Sequence, residues 1–142
     1  MAFKTILLKG DPLRKEGKAG GTITPGQLIK ENSSALLIVH AQAGGPAQAW
    51  FATEDALQGN DISDDYSSGN RVQFVAARPG DEIYAILATS QTVAIGDLLE
   101  SAGNGNLRKH GGNMESGDCI LAVAREAVTT TGAVARIVVE II

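Results

Sequence analysis

The stretch Thr92–Leu107, TVAIGDLLESAGNGNL, constrains this chain more than any other. It sets a tight turn at Gly96-Asp97 between two short apolar runs, then a Gly-Asn turn at Gly103–Asn106. Glycine supplies the positive φ of such turns without steric cost, so the pattern predicts strand, turn, strand, turn. A weaker copy, TITPGQLIKENSSAL, lies at Thr22–Leu36. Thr22 corresponds to Thr92, Ile23 to Val93, Gly26 to Gly96, Leu28 to Leu98 and Ile29 to Leu99. A chain punctuated in this way predicts a small β-barrel of short strands.

Apolar runs bounded by turn residues place further strands at Gln27–Glu31, Leu36–His40, Ala47–Thr53, Arg71–Ala77, Glu82–Ala88, Cys119–Ala127 and Ala133–Ile142. Arg78-Pro79-Gly80-Asp81 has the order of a type II turn. Two segments read as loops. Glu54–Gly69 is long and acidic, with one helical turn expected near Glu54–Leu57, and Arg108–Gly117 is rich in glycine. The expectation is all-β: an antiparallel barrel or sandwich of about eight or nine strands, one domain spanning 22–142. Alanine at many strand positions points to close approach of strands or of subunits.

Residues 1–21 read differently. Phe3–Leu8 is apolar and suits a strand, whereas Lys9–Gly21 holds glycine, proline and charge without a hydrophobic period. Met1–Lys18 sums to +3, so with a total of −4 the remainder carries −7. A basic leader on an acidic body is expected to be an extended arm that reaches for a partner. Its apolar start must pair with a distant strand, a neighbouring chain or nothing. Phe3, Lys4, Ile6, Leu7, Leu8, Lys9, Arg14 and Lys15 are therefore the expected partner-binding residues.

Composition narrows the function classes. Six aromatic side chains and a negative net charge argue against a nucleic-acid partner. One cysteine, Cys119, permits no intrachain disulfide, and no apolar run is long enough to span a bilayer. The opening residues do not form a secretory signal, so synthesis in a cytoplasm is expected. Asp61, Asp64 and Asp65 offer oxygen ligands but lack the spacing of a calcium loop. Gly10–Lys18 fails the phosphate-loop pattern, since Pro12 stands at its first glycine. His40 ends an apolar strand and reads as a satisfied core histidine; His110 falls in a glycine loop. Cys119 heads an apolar strand and reads as an inert thiol. No catalytic, cofactor or metal residue is expected. An adaptor or ligand-binding β-module, using the acidic loop, is the alternative class.

Several elements, taken in order, resemble a capsid cement (decoration) protein of tailed bacteriophages. They are Lys4–Gly10, Thr22–Leu28, Phe51–Gly59, Gly80–Ala85, Ile95–Leu107 and Val123–Ala127. The resemblance implies a non-enzymatic β-domain on the outer face of an icosahedral head, bridging neighbouring major capsid subunits. It implies self-association as trimers at threefold positions or, in some relatives, dimers at twofolds. It also implies an N-terminal segment that runs across the capsid surface.

Overall fold

The computed structural model describes residues 3–112 and 117–142. Among them the strands are, in order, β1 (Leu7–Lys9), β2 (Leu13–Lys18), β3 (Ile29–Glu31), β4 (Leu37–Val39), β5 (Trp50–Ala52), β6 (Arg71–Ala76), β7 (Glu82–Leu87), β8 (Thr92–Val93), β9 (Leu98–Ser101), β10 (Leu107–Lys109), β11 (Ala122–Ala124), β12 (Val128–Thr129) and β13 (Ala135–Ile141). A single 3-10 turn at Ala56–Gln58 sits inside the acidic loop, close to the helical turn expected there.

The fold is all-β and contains a closed five-stranded barrel, β7-β10-β9-β11-β13. Closure is made by β13 on β7, antiparallel from Ala135↔Leu87 to Glu140↔Glu82. Strand β13 shows why its sequence, ARIVVEI, is a barrel strand. Ile137, Val139 and Ile141 point into the core, whereas Arg136, Val138 and Glu140 lie half-buried outside, a period of two. Five strands enclose little volume, so Ala85, Ala122 and Ala124 fill interior positions beside Ile83, Leu87, Leu99 and Leu107.

A second sheet, β2-β6-β5, lies against the barrel. It is buried on both faces at Phe51-Ala52 of β5 and Phe74-Val75 of β6, which explains why apolar residues run consecutively there. Phe51 and Val75 join the barrel cluster; Ala52, Val72 and Phe74 join a second cluster with Ile23, Ile29, Leu37 and Tyr66.

The two sequence copies adopt one turn, and two more segments share it. In Thr24–Gln27, Ser67–Asn70, Arg78–Asp81 and Ala94–Asp97 the fourth amide donates to the first carbonyl at 3.0–3.1 Å. The side-chain oxygen of the fourth residue accepts the first residue's amide at 2.8 Å. The third residue is glycine at φ +96, +91, +97 and +93 respectively, as a type II turn demands. Each turn ends at, or one residue before, the next β pairing, feeding the Leu28 bridge and β3, β6, β7 and β9.

The leading segment differs from the expected free arm. Leu7 pairs with Ile83 and Lys9 with Glu82, so β1 fills the side of β7 that β10 leaves open. Strand β2 pairs with β6 along its whole length, from Leu13↔Ala76 to Lys18↔Arg71. The physical reason is Ile6, which is fully buried in the barrel cluster. The carboxylate of Glu54 accepts the Ile6 amide at 3.2 and 3.3 Å, and Phe3 packs edge-on against Tyr84 with centroids 5.3 Å apart. The apolar start has paired with a distant strand. Of the Arg108–Gly117 segment expected as loop, Arg108 and Lys109 belong to β10, and 113–116 lie outside the described residues.

Two glycine substitutions test the turn reading. An added Cβ meets nothing within 4 Å at Gly96, whereas at Gly26 it falls 2.9 Å from the Tyr84 carbonyl oxygen. Gly96→Ala is expected to cost about 1–2 kcal/mol, the left-handed penalty alone. Gly26→Ala is expected to cost clearly more, because the Tyr84 backbone is fixed in the barrel wall. Thermal unfolding of the two variants side by side checks the order, and equal shifts would contradict it.

Candidate interaction surface

Strand β2, LRKEGK, is polar because it is the end of a sheet. Leu13, Arg14, Lys15, Glu16 and Lys18 are all exposed. Among the described residues its second edge meets only the start of β4, through a parallel bridge from Ala19, just past the strand's end, to Leu37. Gly17 is small for a reason: a Cβ there would sit 2.8 Å from a Leu37 methyl. On the face toward the second cluster, register aligns Leu13, Ala76 and Trp50 in one row. Leu13 is 63% exposed, and Trp50 is half-buried, tilted against Phe74 at 5.1 Å. The Lys15 ammonium lies over the Trp50 ring, 4.6 Å from its centroid. On the other face Glu16 is drawn back onto β6, accepting from Gln73 Nε2 at 3.2 Å and lying 3.5 Å from Arg71.

The expected partner-binding residues thus divide. Ile6 belongs to the core and cannot face a partner. Leu7 and Leu8 are half-buried, Leu7 against the same core. Phe3 and Lys4 are exposed beside the barrel wall, and Lys9 pairs with Glu82 at 3.5 Å while remaining largely in solvent. Arg14 and Lys15 stand apart from these, on the β2 edge.

Two polar clusters carry geometry that residue types alone did not disclose. Glu100 on β9 is buried, with Arg108 opposite it on β10. One carboxylate oxygen accepts from Arg108 Nε and Nη2 at 2.9 and 2.7 Å. The other lies 2.5 Å from His110 Nδ1, whose Nε2 is 3.6 Å from Asp118. Burial alone raises the Glu100 pKa, but the hydrogen bonds from His110 and Arg108 outweigh it, and the net position is below the ordinary value. His110 is therefore fixed, not loose in a glycine loop. These residues line an open recess of about 490 Å³. The hairpin spacing of Glu100 and Arg108 about Gly103–Asn106 was the signal that could have found the pair.

His40 is a satisfied core histidine. Its Nε2 donates to the Pro46 carbonyl at 2.8 Å, which leaves Nδ1 to accept the Ser101 hydroxyl at 2.6 Å. Ser101 also accepts the Gly103 amide at 3.1 Å. The pair has the order of a nucleophile and its base, but Ser101 is 1% exposed, so no substrate atom reaches it. Cys119 directs its thiol at the Ala47 carbonyl, 3.7 Å away.

The acidic loop caps itself. Asp64 accepts the Asp61 amide, and Asp61 accepts the Ser63 amide and hydroxyl. The hydrogen bonds from the Ser63 side chain and backbone hold the Asp61 pKa below its usual range. Arg136 ties the loop to the barrel, donating to the Ile62 carbonyl at 2.7 Å and to the Pro25 carbonyl at 2.6 Å. Tyr66, pushed up to about 12 by burial, lies under a recess of about 400 Å³ with Asp55, Asn60 and Asp65 around it. Among the described residues no group of three His, Cys, Asp or Glu could hold a metal ion, and no helix is long and apolar enough to cross a membrane.

The fold defines an all-β protein of short strands around a closed five-stranded barrel. It is similar to a crystal structure described as the N base of the head fiber gp8.5 of bacteriophage phi29, with a TM-score of 0.58 and 10% sequence identity. The likeness in fold covers 92% of this chain and 93% of that one. No protein-family model and no curated protein matches the sequence.

Glu100→Gln is expected to remove about 1–3 kcal/mol at neutral pH, since Arg108 and His110 lose their shared counter-charge. The sign with pH follows from the lowered pKa. The contribution is present above the unfolded value and is lost as pH falls through the folded one, below the ordinary 4.5. Urea unfolding at neutral and acid pH checks it: wild type and variant should converge on acidification.

Proposed function

We propose that this chain is a structural protein of a tailed-phage virion, seated on the outer capsid surface and cementing neighbouring major capsid subunits. One observation carries the proposal: the domain shares its fold, over nearly its full length, with the base of a phage head fiber. The ordered resemblance of its sequence elements to cement proteins supports the same reading. In this reading the chain catalyses nothing, carries no cofactor, and touches neither nucleic acid nor membrane directly. It is made in the host cytoplasm and associates with itself, as a trimer at threefold or a dimer at twofold positions. Repetition over symmetric copies then turns weak contacts into stable attachment.

Phe3, Lys4 and Lys9 are the capsid-facing residues in this reading. They form an exposed basic and aromatic patch beside Tyr84 and Glu82. The segment is held by its own barrel, so binding need not order a free arm at about 1–2 kcal/mol per residue. The recess around Asp55, Asn60 and Asp65 favours a second reading, a β-module that binds a small polar ligand.

Co-sedimentation with expanded empty heads that lack the protein separates the two. The triple variant Phe3→Ala, Lys4→Glu, Lys9→Gln should bind at least about tenfold more weakly while remaining folded at the assay temperature, despite losing the Tyr84 and Glu82 contacts. Asp55→Asn with Asp65→Asn should bind normally. The opposite pattern would favour the ligand module, and no binding by the wild-type protein would refute attachment to heads.

A further inference from the structure

We propose that the free edge of β2 is a self-recognition surface, on which a second copy of this chain adds its own β2 antiparallel about a twofold axis. The inference does not depend on capsid binding.

Backbone direction comes first. Both the amide and the carbonyl of Ala19 bond the Gly69-Asn70 segment leading into β6. Along a strand these directions alternate. Gly17, Lys15 and Leu13 therefore also face β6, while Arg14, Glu16 and Lys18 present their amides and carbonyls outward. Leu37 meets the edge at its Lys18–Gly20 end, where the Gly20 amide donates to its carbonyl. Arg14 and Glu16 have no partner strand among the described residues. An exposed edge of this length is a template for another strand.

Register and charge then select the occupant. Antiparallel pairing joins outward residues to outward residues. With Arg14 opposite Glu16 of the second copy, the twofold repeats the contact as Glu16 opposite Arg14, two opposite-charge pairs on one face. Moving the axis by one residue either way sets Arg14 or Glu16 against itself. The chosen register also sets Leu13 opposite Gly17 of the second copy, beside the Leu37 side chain that packs over that glycine.

Lysine commonly guards an edge against such pairing. Here Lys15 would face its own counterpart across the axis. Its ammonium, however, is drawn inward over Trp50, which sits on β5, two strands away from the free edge. The guard is folded back. A contact of this size makes a weak pair in free solution, and a lattice of fixed copies strengthens it.

Sedimentation equilibrium of the full chain over rising concentration is the test. The wild type should approach the mass of a dimer. Arg14→Glu and Glu16→Arg should each weaken association about tenfold or more. The double variant, Arg14→Glu with Glu16→Arg, should recover it. Glu16→Pro removes an outward amide together with the surface contacts of Glu16 to Gln73 and Arg71; it should give a folded monomer, since Pro is tolerated at such edge positions. A wild type that stays monomeric at the highest concentration, association indifferent to Arg14→Glu and Glu16→Pro, or a double variant that fails to recover would each overturn the proposal. Failure here leaves head binding through Lys4 and Lys9 standing, and loss of head binding leaves the dimer measurable.

Discussion

The pairing of β7 with β13 is the constraint on which the rest depends. Six consecutive residue pairs join the end of the chain to its middle and close the barrel. Strand β7 is thereby committed on one side, and its other side is divided between β1 and β10. That division explains why the leading segment is not free. A gap beside β7 would expose backbone groups and the barrel interior together. Burying Ile6 there contributes about 1.5–3 kcal/mol, and Glu54 takes up the amide that would otherwise be stranded. Glu54 is itself strained electrostatically, since burial raises its pKa despite the Ile6 bond.

Closure also decides where the molecule is vulnerable. A closed barrel has no edges. Outside it, β1 and the pairs β3-β4 and β8-β12 have edges of two or three residues. In the second sheet β5 is covered at Leu28 by an isolated bridge, so among the described residues β2 keeps the long open side. The basic excess of the first eighteen residues falls on this strand and on the segment before it. The same charge asymmetry that suggests a reaching arm is, in the folded chain, the dressing of a sheet edge and of the barrel flank beside it. In the proposed role it would act as a paired surface rather than as a flexible tether.

Residue pattern made the turns and the interior legible and the edge illegible. Gly26 and Gly96 announced their conformation, because only glycine rests easily near φ +95 and both stand between apolar runs. The strands of β6, β7 and β13 were readable because both faces, or every second residue, must be apolar. LRKEGK was not readable as β2: at a sheet end neither face is obliged to be apolar, so periodicity is lost where pairing remains. The buried Glu100 escaped for another reason. Its charge suggests a surface, and only the register that sets it opposite Arg108 shows that it is neutralised from within the sheet. His110 likewise takes its position from tertiary contact with Glu100, which composition of the surrounding glycine loop conceals.

At 10% identity the shared fold must rest on requirements that few residues meet rather than on particular side chains. The structure shows what such requirements are here: glycine at positive φ before a strand, an oxygen three residues after the turn's first amide, and small or branched residues filling a narrow barrel. Gly69, Gly80 and Gly96 are themselves exposed, but what they supply is backbone conformation and not a side chain for a partner. Two chains can satisfy all of them and still present unrelated charges and aromatics to their surroundings. A contact surface therefore cannot be inherited from the likeness; it must be read from this chain's own exposed groups. Two such places are Phe3 with Lys4 and Lys9 on the barrel flank and Leu13 to Lys18 on the open edge. In the proposed role, with the first held by the barrel and the second by the β2-β6-β5 sheet, a partner would meet them without the entropy loss of ordering a tail, and specificity would rest on register and charge rather than on depth of burial.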